Sequence, residues 1–312
     1  MLNKFELLTP KTVTGAIKMY REHPECKVLA GGTDIFVEMH DGKEYPCLMD
    51  IKGIDELKGI SWSEEEGLCI GALTTHAEIE RSEPIKKYYP VLYDCISKIA
   101  SVQIRMRGTV AGNICTASPA GDSAAGLLVC GALVRVQGPE GKREIPIAEF
   151  FTGYKKTALK EGEIVTHIFL PAPKKKNGSA SIRLTRRKAM DIGILCSAVS
   201  ISCDDSDVCS MARISLLSAA PTPIRVYKAE DYLVGKKISK EVMKQAGVLA
   251  YEAAQPKTWR SSEEYSRDMV KVIVPQAIEI AYARMYRKIP GSELCTGRAD
   301  EVKACEIRNG GE

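Results

Sequence analysis

The chain has 312 residues, 45% hydrophobic and 27% charged, with a net charge of +4. That is the make-up of a soluble globular protein with room for two or three modest domains. The small positive excess, with no basic block beyond Lys174-Lys175-Lys176, argues against a nucleic-acid partner. No apolar run approaches the roughly 20 residues of a membrane span. The N-terminal MLNKFELLTPKT has no signal-peptide core, so a cytoplasmic location without membrane association is expected.

In chain order, residues 9–22 read as a helix, with Thr9 as cap, Pro10 in the first turn and Val13, Ile17 and Tyr20 on the apolar face. A short strand at 27–29 enters a turn at Gly31-Gly32, and Thr33 and Asp34 open a further helical segment. Short strands are expected at 47–51, 60–62 and 67–70, and helices at 75–81 and 90–100. A second glycine-bearing segment, 108–122, precedes a small, apolar helix at 123–130. Strands at 132–137 and 142–145 flank a hairpin turn at 138–141, a helical turn covers 147–151, and a strand follows at 164–170. Pro171-Ala172-Pro173, the lysine run and Gly178 mark the best domain boundary. Beyond it come strands at 180–185, 194–203 and 209–218, then helices at 227–233, 240–252 and 262–287, the last bent at Pro275. Three strands followed by three helices is an α+β signature. Residues 291–312 read as a loose polar tail, and no internal repeat is present.

The chemistry lies in the two glycine segments, Leu29-Ala30-Gly31-Gly32-Thr33-Asp34 and GTVAGNICTASPAGD at 108–122. Glycines allow close approach of backbone to a ligand, and neighbouring hydroxyls add donors, which suits a diphosphate held from two sides. Each segment also has a plainer reading: Gly31-Gly32 as a tight turn, and Thr116, Ser118 and Asp122 as helix caps. Neither segment carries the lysine of a nucleotide-triphosphate loop or the G-x-G-x-x-G spacing. No G-x-S-x-G elbow exists, and His23, His40, His76 and His167 are scattered. Of the 11 cysteines none forms a C-x-x-C pair, so no resident metal or iron–sulfur cluster is expected, and the cysteines read as reduced, buried thiols. Cys203 and Cys209 flank an Asp-rich turn and could face each other across it.

The combination AGGTD, QIRMRGTVAGNICTASPAGDS, EGEIV and RRKAMDI resembles the FAD-binding (medium) subunit of the molybdenum hydroxylases over residues 3 to 290 or so. Ala219-Ala220-Pro221-Thr222-Pro223-Ile224-Arg225 and Thr258-Trp259-Arg260 are most similar to the bacterial xanthine dehydrogenase branch. The resemblance implies an α+β chain: a two-subdomain FAD-binding fold of the vanillyl-alcohol-oxidase (PCMH) type at 1–173 (subdomains 1–55 and 56–173), then a C-terminal α+β domain at 178–290 with a three-stranded antiparallel sheet. It implies that FAD is held by Lys27, Val28, Ala30, Gly31, Gly32, Thr33, Asp34 and Ile35 from the first segment. From the second it implies Thr109, Gly112, Asn113, Cys115, Thr116, Ser118 and Asp122, with Thr116 donating to a phosphate and Asp122 accepting from a cofactor hydroxyl. Val165 matches an aliphatic neighbour of the adenine or flavin. Arg183 stands where the family usually has a lysine reaching the flavin edge, and Ile99 where some relatives stack a phenylalanine.

No residue of this chain is expected to act on substrate. The resemblance implies partner chains, a molybdopterin-binding large subunit and a [2Fe–2S] small subunit, with NAD⁺ as acceptor and xanthine as the oxidised substrate. Alternatives are a nicotinate, carbon monoxide or aromatic acyl-CoA dehydrogenase subunit, or a flavin-binding assembly protein without turnover.

Overall fold

A computed structural model describes residues 4–257 and 260–286 of the chain. It opens with β1 (Glu6–Leu8), α1 (Val13–Glu22), β2 (Lys27–Leu29), α2 (Ile35–His40) and β3 (Cys47–Asp50). These strands form a parallel sheet in the order β1-β3-β2, so β2 is a three-residue edge strand. Parallel strands require crossovers, and α1 and α2 supply them. Val13, Ala16 and Ile17 of α1 pack against Met49 and Ile51. The helix starts later than its sequence suggests, capped by Thr12 rather than Thr9. A cap oxygen must reach an N–H two or three residues on. The Thr12 hydroxyl accepts from Gly15 N, whereas three residues beyond Thr9 the backbone is still extended, with φ −139° at Thr12.

Next come β4 (Ile60–Ser63), β5 (Gly67–Gly71), α3 (His76–Arg81), α4 (Glu83–Tyr88), α5 (Pro90–Ile96), α6 (Val102–Arg105), α7 (Val110–Thr116) and α8 (Asp122–Cys130). They are followed by β6 (Leu133–Gly138), β7 (Gly141–Pro146), α9 (Ile147–Phe150), β8 (Phe151–Gly153), β9 (Lys156–Thr157) and β10 (Ile164–Pro171). An antiparallel sheet of order β4-β5-β10-β6-β7 results. Its alternate residues Leu68, Ile70, Val134, Val136, Ile168 and Leu170 share one core with Leu92, Ile96, Val110, Ile114 and Leu127 from the helices. The helix expected over 90–100 ends at Ile96, because the chain turns through a left-handed Ala100 (φ 41°) before α6.

The last third runs β11 (Asn177–Leu184), β12 (Leu195–Cys203), β13 (Cys209–Leu217), β14 (Ile224–Arg225), α10 (Tyr227–Leu233), α11 (Lys240–Ala253) and α12 (Glu263–Tyr286). The sheet has four strands, β11-β12-β13-β14, not the three expected. The fourth is a two-residue strand pairing with Ser215 and Leu216, too short to show any periodicity in sequence. Every residue of β12 is buried. Leu195, Val199 and Ile201 face the core shared with α10, α11 and α12, while Cys196 and Ala198 face α5 and α8. Small residues on the second face allow the two halves of the molecule to meet closely.

That seam is built of specific contacts. On the first-half side of it α5 and α8 pack closely, a Cβ on Gly126 falling 3.1 Å from the Leu92 Cα. Ser215 donates to the Ala125 carbonyl at 3.0 Å. Arg284 of α12 donates to the Asp94 carboxylate at 2.6 Å and to the Ser179 carbonyl at 2.9 Å, and Asp94 also accepts from Ser181 N at 3.1 Å. The Asp94 and Arg284 side chains are both buried, and a buried charge is tolerable only when paired in this way.

One expectation about cysteines is corrected. Cys26, just before β2, and Cys47, the first residue of β3, are joined as a disulfide with Cα atoms 4.4 Å apart. Lys27 pairs in register with Leu48, which brings the residues just before them side by side; a spacing of 21 carries no local signal of this. Cys203 and Cys209 do face each other across their hairpin, as free thiols. Thr258, Trp259 and the segment 287–312, including the expected tail, lie outside the described residues.

Candidate functional site

The first segment leaves the edge strand β2 and passes through Ala30, Gly31, Gly32, Thr33 and Asp34 into α2, whose first residue, Ile35, is buried. Lys27 is exposed and Val28 half-buried. Gly32 has φ +77°, a conformation that L side chains rarely adopt. Gly31 is required for another reason: a Cβ there would lie 2.1 Å from the carbonyl oxygen of Arg107. Arg107 immediately precedes the second segment, so the two segments are in backbone contact. Gly108 adjoins Thr33 in turn, a Cβ there standing 3.4 Å from the Thr33 hydroxyl.

In the second segment Thr109 caps α7, its hydroxyl accepting from Gly112 N at 3.0 Å. Asn113, Cys115 and Thr116 lie on α7, which ends at Ala117 in the left-handed region (φ 48°). Left-handed backbone at a helix end reverses the chain, here into Ser118 and then Asp122, the first residue of α8. The Asn113 amide oxygen accepts from the Ser123 hydroxyl, tying the ends of α7 and α8. The Thr116 hydroxyl lies 2.6 Å from the Asp34 carboxylate, to which it donates, and also 3.1 Å from the Gly112 carbonyl. Residues 82 apart in sequence are thereby joined at an exposed point. Lys27 of the first segment lies close enough to favour the Cys115 thiolate, but burial dominates and pushes that thiol up to about 12. Cys115 is therefore no nucleophile at neutral pH.

The donors of this arrangement fit a diphosphate. The backbone N–H groups of Gly31, Gly32, Thr33, Asp34 and Ile35 make no hydrogen bond to any described residue. Neither do those of Ser118, Asp122 and Ser123. Runs of free N–H groups at glycine turns and helix starts are what phosphate oxygens take.

Arg183 and Asp122 form a second centre, at the seam. The Arg183 Nε lies 3.0 Å from Asp122 Oδ1 without the alignment of a hydrogen bond, and both side chains are buried. Arg183 also donates to the Lys98 carbonyl at 2.6 Å and to the Asp191 carbonyl. Its guanidinium is thus committed to protein partners on both halves. Burial pushes the Asp122 carboxyl up to about 6, against the opposing pull of Arg183 and then Lys98. Val165 stands apart from both centres: it is buried in β10 within the core beneath Val110, Ala111 and Ile114.

Several supporting residues carried no signal in the sequence. Arg105, buried in α6, donates to the Ile99 carbonyl at 2.9 Å and to Glu80 at 3.0 Å, fixing the turn that leads to the second segment. His76, 2% exposed, donates its backbone N–H to the Gly108 carbonyl at 2.9 Å. Burial, aided by Arg105, holds its imidazole down to about 4, so it is neutral at ordinary pH. A cavity of 360 Å³ lined by Val13, Glu56, Arg135, Lys142 and His167, among others, includes no residue of either glycine segment. Among the described residues no group of three or more His, Cys, Asp or Glu could hold a metal, and no helix is long and apolar enough to cross a membrane.

Comparison with known proteins agrees with this geometry. A family described as the FAD binding domain in molybdopterin dehydrogenase matches residues 3–173, and the CO dehydrogenase flavoprotein C-terminal domain matches 180–281. The chain is 32% identical over 275 residues to the xanthine dehydrogenase FAD-binding subunit of Escherichia coli O157:H7, covering 87% of this chain and 94% of that one. It is 32% identical over 249 residues to the nicotinate dehydrogenase FAD-subunit of Eubacterium barkeri, covering 78% and 83%. Among solved structures, a chain of carbon monoxide dehydrogenase from Hydrogenophaga pseudoflava superposes with a TM-score of 0.87 at 31% identity, covering 91% of this chain and 99% of that one.

Proposed function

Because the chain belongs to the FAD-binding subunits of the molybdenum hydroxylases, we propose that it is the flavin subunit of a xanthine dehydrogenase. In this role FAD carries electrons from the [2Fe–2S] clusters of a small partner chain to NAD⁺, while a molybdopterin-binding large chain oxidises the purine. The observation that supports the flavin-binding part of this reading is the contact between the two glycine segments, with Gly31 against the Arg107 carbonyl and Thr116 bonded to Asp34, while the xanthine part rests on the relative from Escherichia coli. A backbone cradle of that kind binds a diphosphate.

The chain's own contribution is to hold and orient. The free N–H groups of 31–35, with Ser118 and with Thr116 once its hydroxyl turns from Asp34, would hold the diphosphate, and Asp122 would accept from a cofactor hydroxyl. Lys27, Val28, Ala30, Thr109, Gly112, Asn113 and Cys115 shape the walls around them, with Val165 supporting α7 from below. The neutral His76 and the paired Arg105 hold the second segment without bringing a free charge to it. No side chain here acts on the purine.

Purified chain loaded with FAD should lose its visible flavin absorption on addition of NADH, and should not turn over xanthine by itself. The complex reassembled with its partner chains should oxidise xanthine. Turnover of xanthine by the isolated chain would defeat the division of labour. The same 32% identity to the nicotinate relative and to a carbon monoxide dehydrogenase medium chain makes nicotinate and carbon monoxide the competing substrates, and a reassembled complex that oxidised either of them but not xanthine would reassign it.

A further inference from the structure

The disulfide between Cys26 and Cys47 spans 21 residues, and the ring it closes contains the whole first glycine segment. Inside it lie β2, the Gly31-Gly32 turn, the free N–H groups of 31–35 and α2. The strand that carries this segment is poorly secured by its ladder: β2 has three residues and pairs with β3 on one side only. At its far end the segment is held to the second by the exposed Thr116–Asp34 bond. Both cysteines are buried, at 2% and 1% exposure, so oxidants and reductants reach the pair only when the edge strand β2 opens locally.

We propose that Cys26 and Cys47 are a redox-controlled staple that sets how firmly the chain retains FAD. With the bond closed, the base of the segment cannot separate from β3 and the run of N–H groups is kept ordered. With two thiols, β2 opens more readily and the cradle is competent for less of the time. The oxidant is a peroxide, such as the hydrogen peroxide released when a reduced flavin meets dioxygen. One thiol sulfur takes an oxygen from hydrogen peroxide, giving a sulfenic acid and one water. The second thiol then displaces that oxygen as a second water, forming the S–S bond. Two electrons leave the sulfur pair, and the peroxide takes them up with the two thiol protons.

The test uses the full-length chain with bound FAD. Thiols are alkylated under denaturing conditions before and after hydrogen peroxide treatment, and digested peptides are mapped by mass spectrometry. A peptide joining Cys26 to Cys47 is expected, lost on treatment with a phosphine reductant. FAD release is then followed by the rise in free-flavin fluorescence, with and without the phosphine. If the open form lowers the competent fraction to a tenth, apparent affinity falls about tenfold, and release should quicken on reduction by a comparable factor. Cys26→Ser should show fast release that the phosphine does not change, and because the wild-type comparison needs no variant, a misfolded variant leaves the test intact. Two fully alkylated cysteines after peroxide treatment, or a release rate unaffected by reduction of a mapped disulfide, would overturn the proposal. Either result leaves FAD binding itself untouched.

Discussion

Removing the guanidinium from the seam by Arg183→Ala tests whether the Arg183–Asp122 pair holds the two halves together. At 3.0 Å and an effective dielectric constant of about 20, the attraction is about 5 kcal/mol. Breaking one side of a buried pair commonly costs about 3–5 kcal/mol, so the two figures agree. The bonds from Arg183 to the Lys98 and Asp191 carbonyls add roughly 1 kcal/mol each, independent of pH. The electrostatic part depends on pH through Asp122. Its folded pKa, about 6, lies above the ordinary aspartate value near 3.9. The folded chain therefore holds a proton that the unfolded chain has lost, and stability is greatest below about pH 4 and falls as pH rises through 6, by about 3 kcal/mol in total. Without Arg183 that carboxyl shifts further up, so the fall continues beyond pH 6. Urea melts at pH 5 and pH 8 should show Arg183→Ala losing about 2 kcal/mol at the lower pH, where Asp122 is already mostly protonated, and about 5 kcal/mol or more at the higher. Arg183→Lys keeps the charge and should lose mainly the carbonyl bonds. An equal loss for Arg183→Ala at both pH values would refute the ion pair as the source.

Gly31→Ala should cut the flavin-to-protein ratio of the purified chain to below about a tenth, because its methyl would meet backbone, the Arg107 carbonyl at 2.1 Å, rather than a side chain that could turn away. Thr116→Val removes the hydroxyl that links the two segments through Asp34; a loss of about 1 kcal/mol should raise the FAD dissociation constant roughly fivefold in a fluorescence titration. Stripping FAD should lower the melting temperature, and restoring it at a hundredfold excess over its dissociation constant should return about 2.7 kcal/mol of stability. A melting temperature insensitive to FAD would contradict a cofactor bound only by the folded chain.

What the sequence disclosed and what it hid divide by the range of the interaction. Glycines, caps and hairpin turns act over a few residues, so both glycine segments, the turn at 138–141 and α10 stand near where they were expected. The contact of Gly31 with Arg107 joins residues 76 apart, and Arg284 with Asp94 residues 190 apart. No composition or periodicity reports such pairs. The edge strands β1 and β14 are three and two residues long, below the length at which alternation can be read. Cys26 and Cys47 escaped because parallel register, not spacing, brings them together. The resemblance supplied the order of the halves, but Arg183, standing where the family usually has a lysine, is committed to Asp122 and two carbonyls, which only coordinates could reveal.

The same elements that shape the cradle also close the seam. The second glycine segment ends at Asp122, and the helix that Asp122 opens packs along β13 through Ser215 and the Ala125 carbonyl. The Ser218 N–H donates to the Pro119 carbonyl at 2.8 Å, so the last third of the chain touches the second segment directly. The Arg183 guanidinium then fixes Asp122 to Lys98 and Asp191. A ligand that orders the 118–123 turn therefore stabilises the seam, and by linkage a firmer seam must favour the ligand by the same free energy. If FAD is the ligand of that turn, as proposed, its retention and the joining of the two halves are linked in this way.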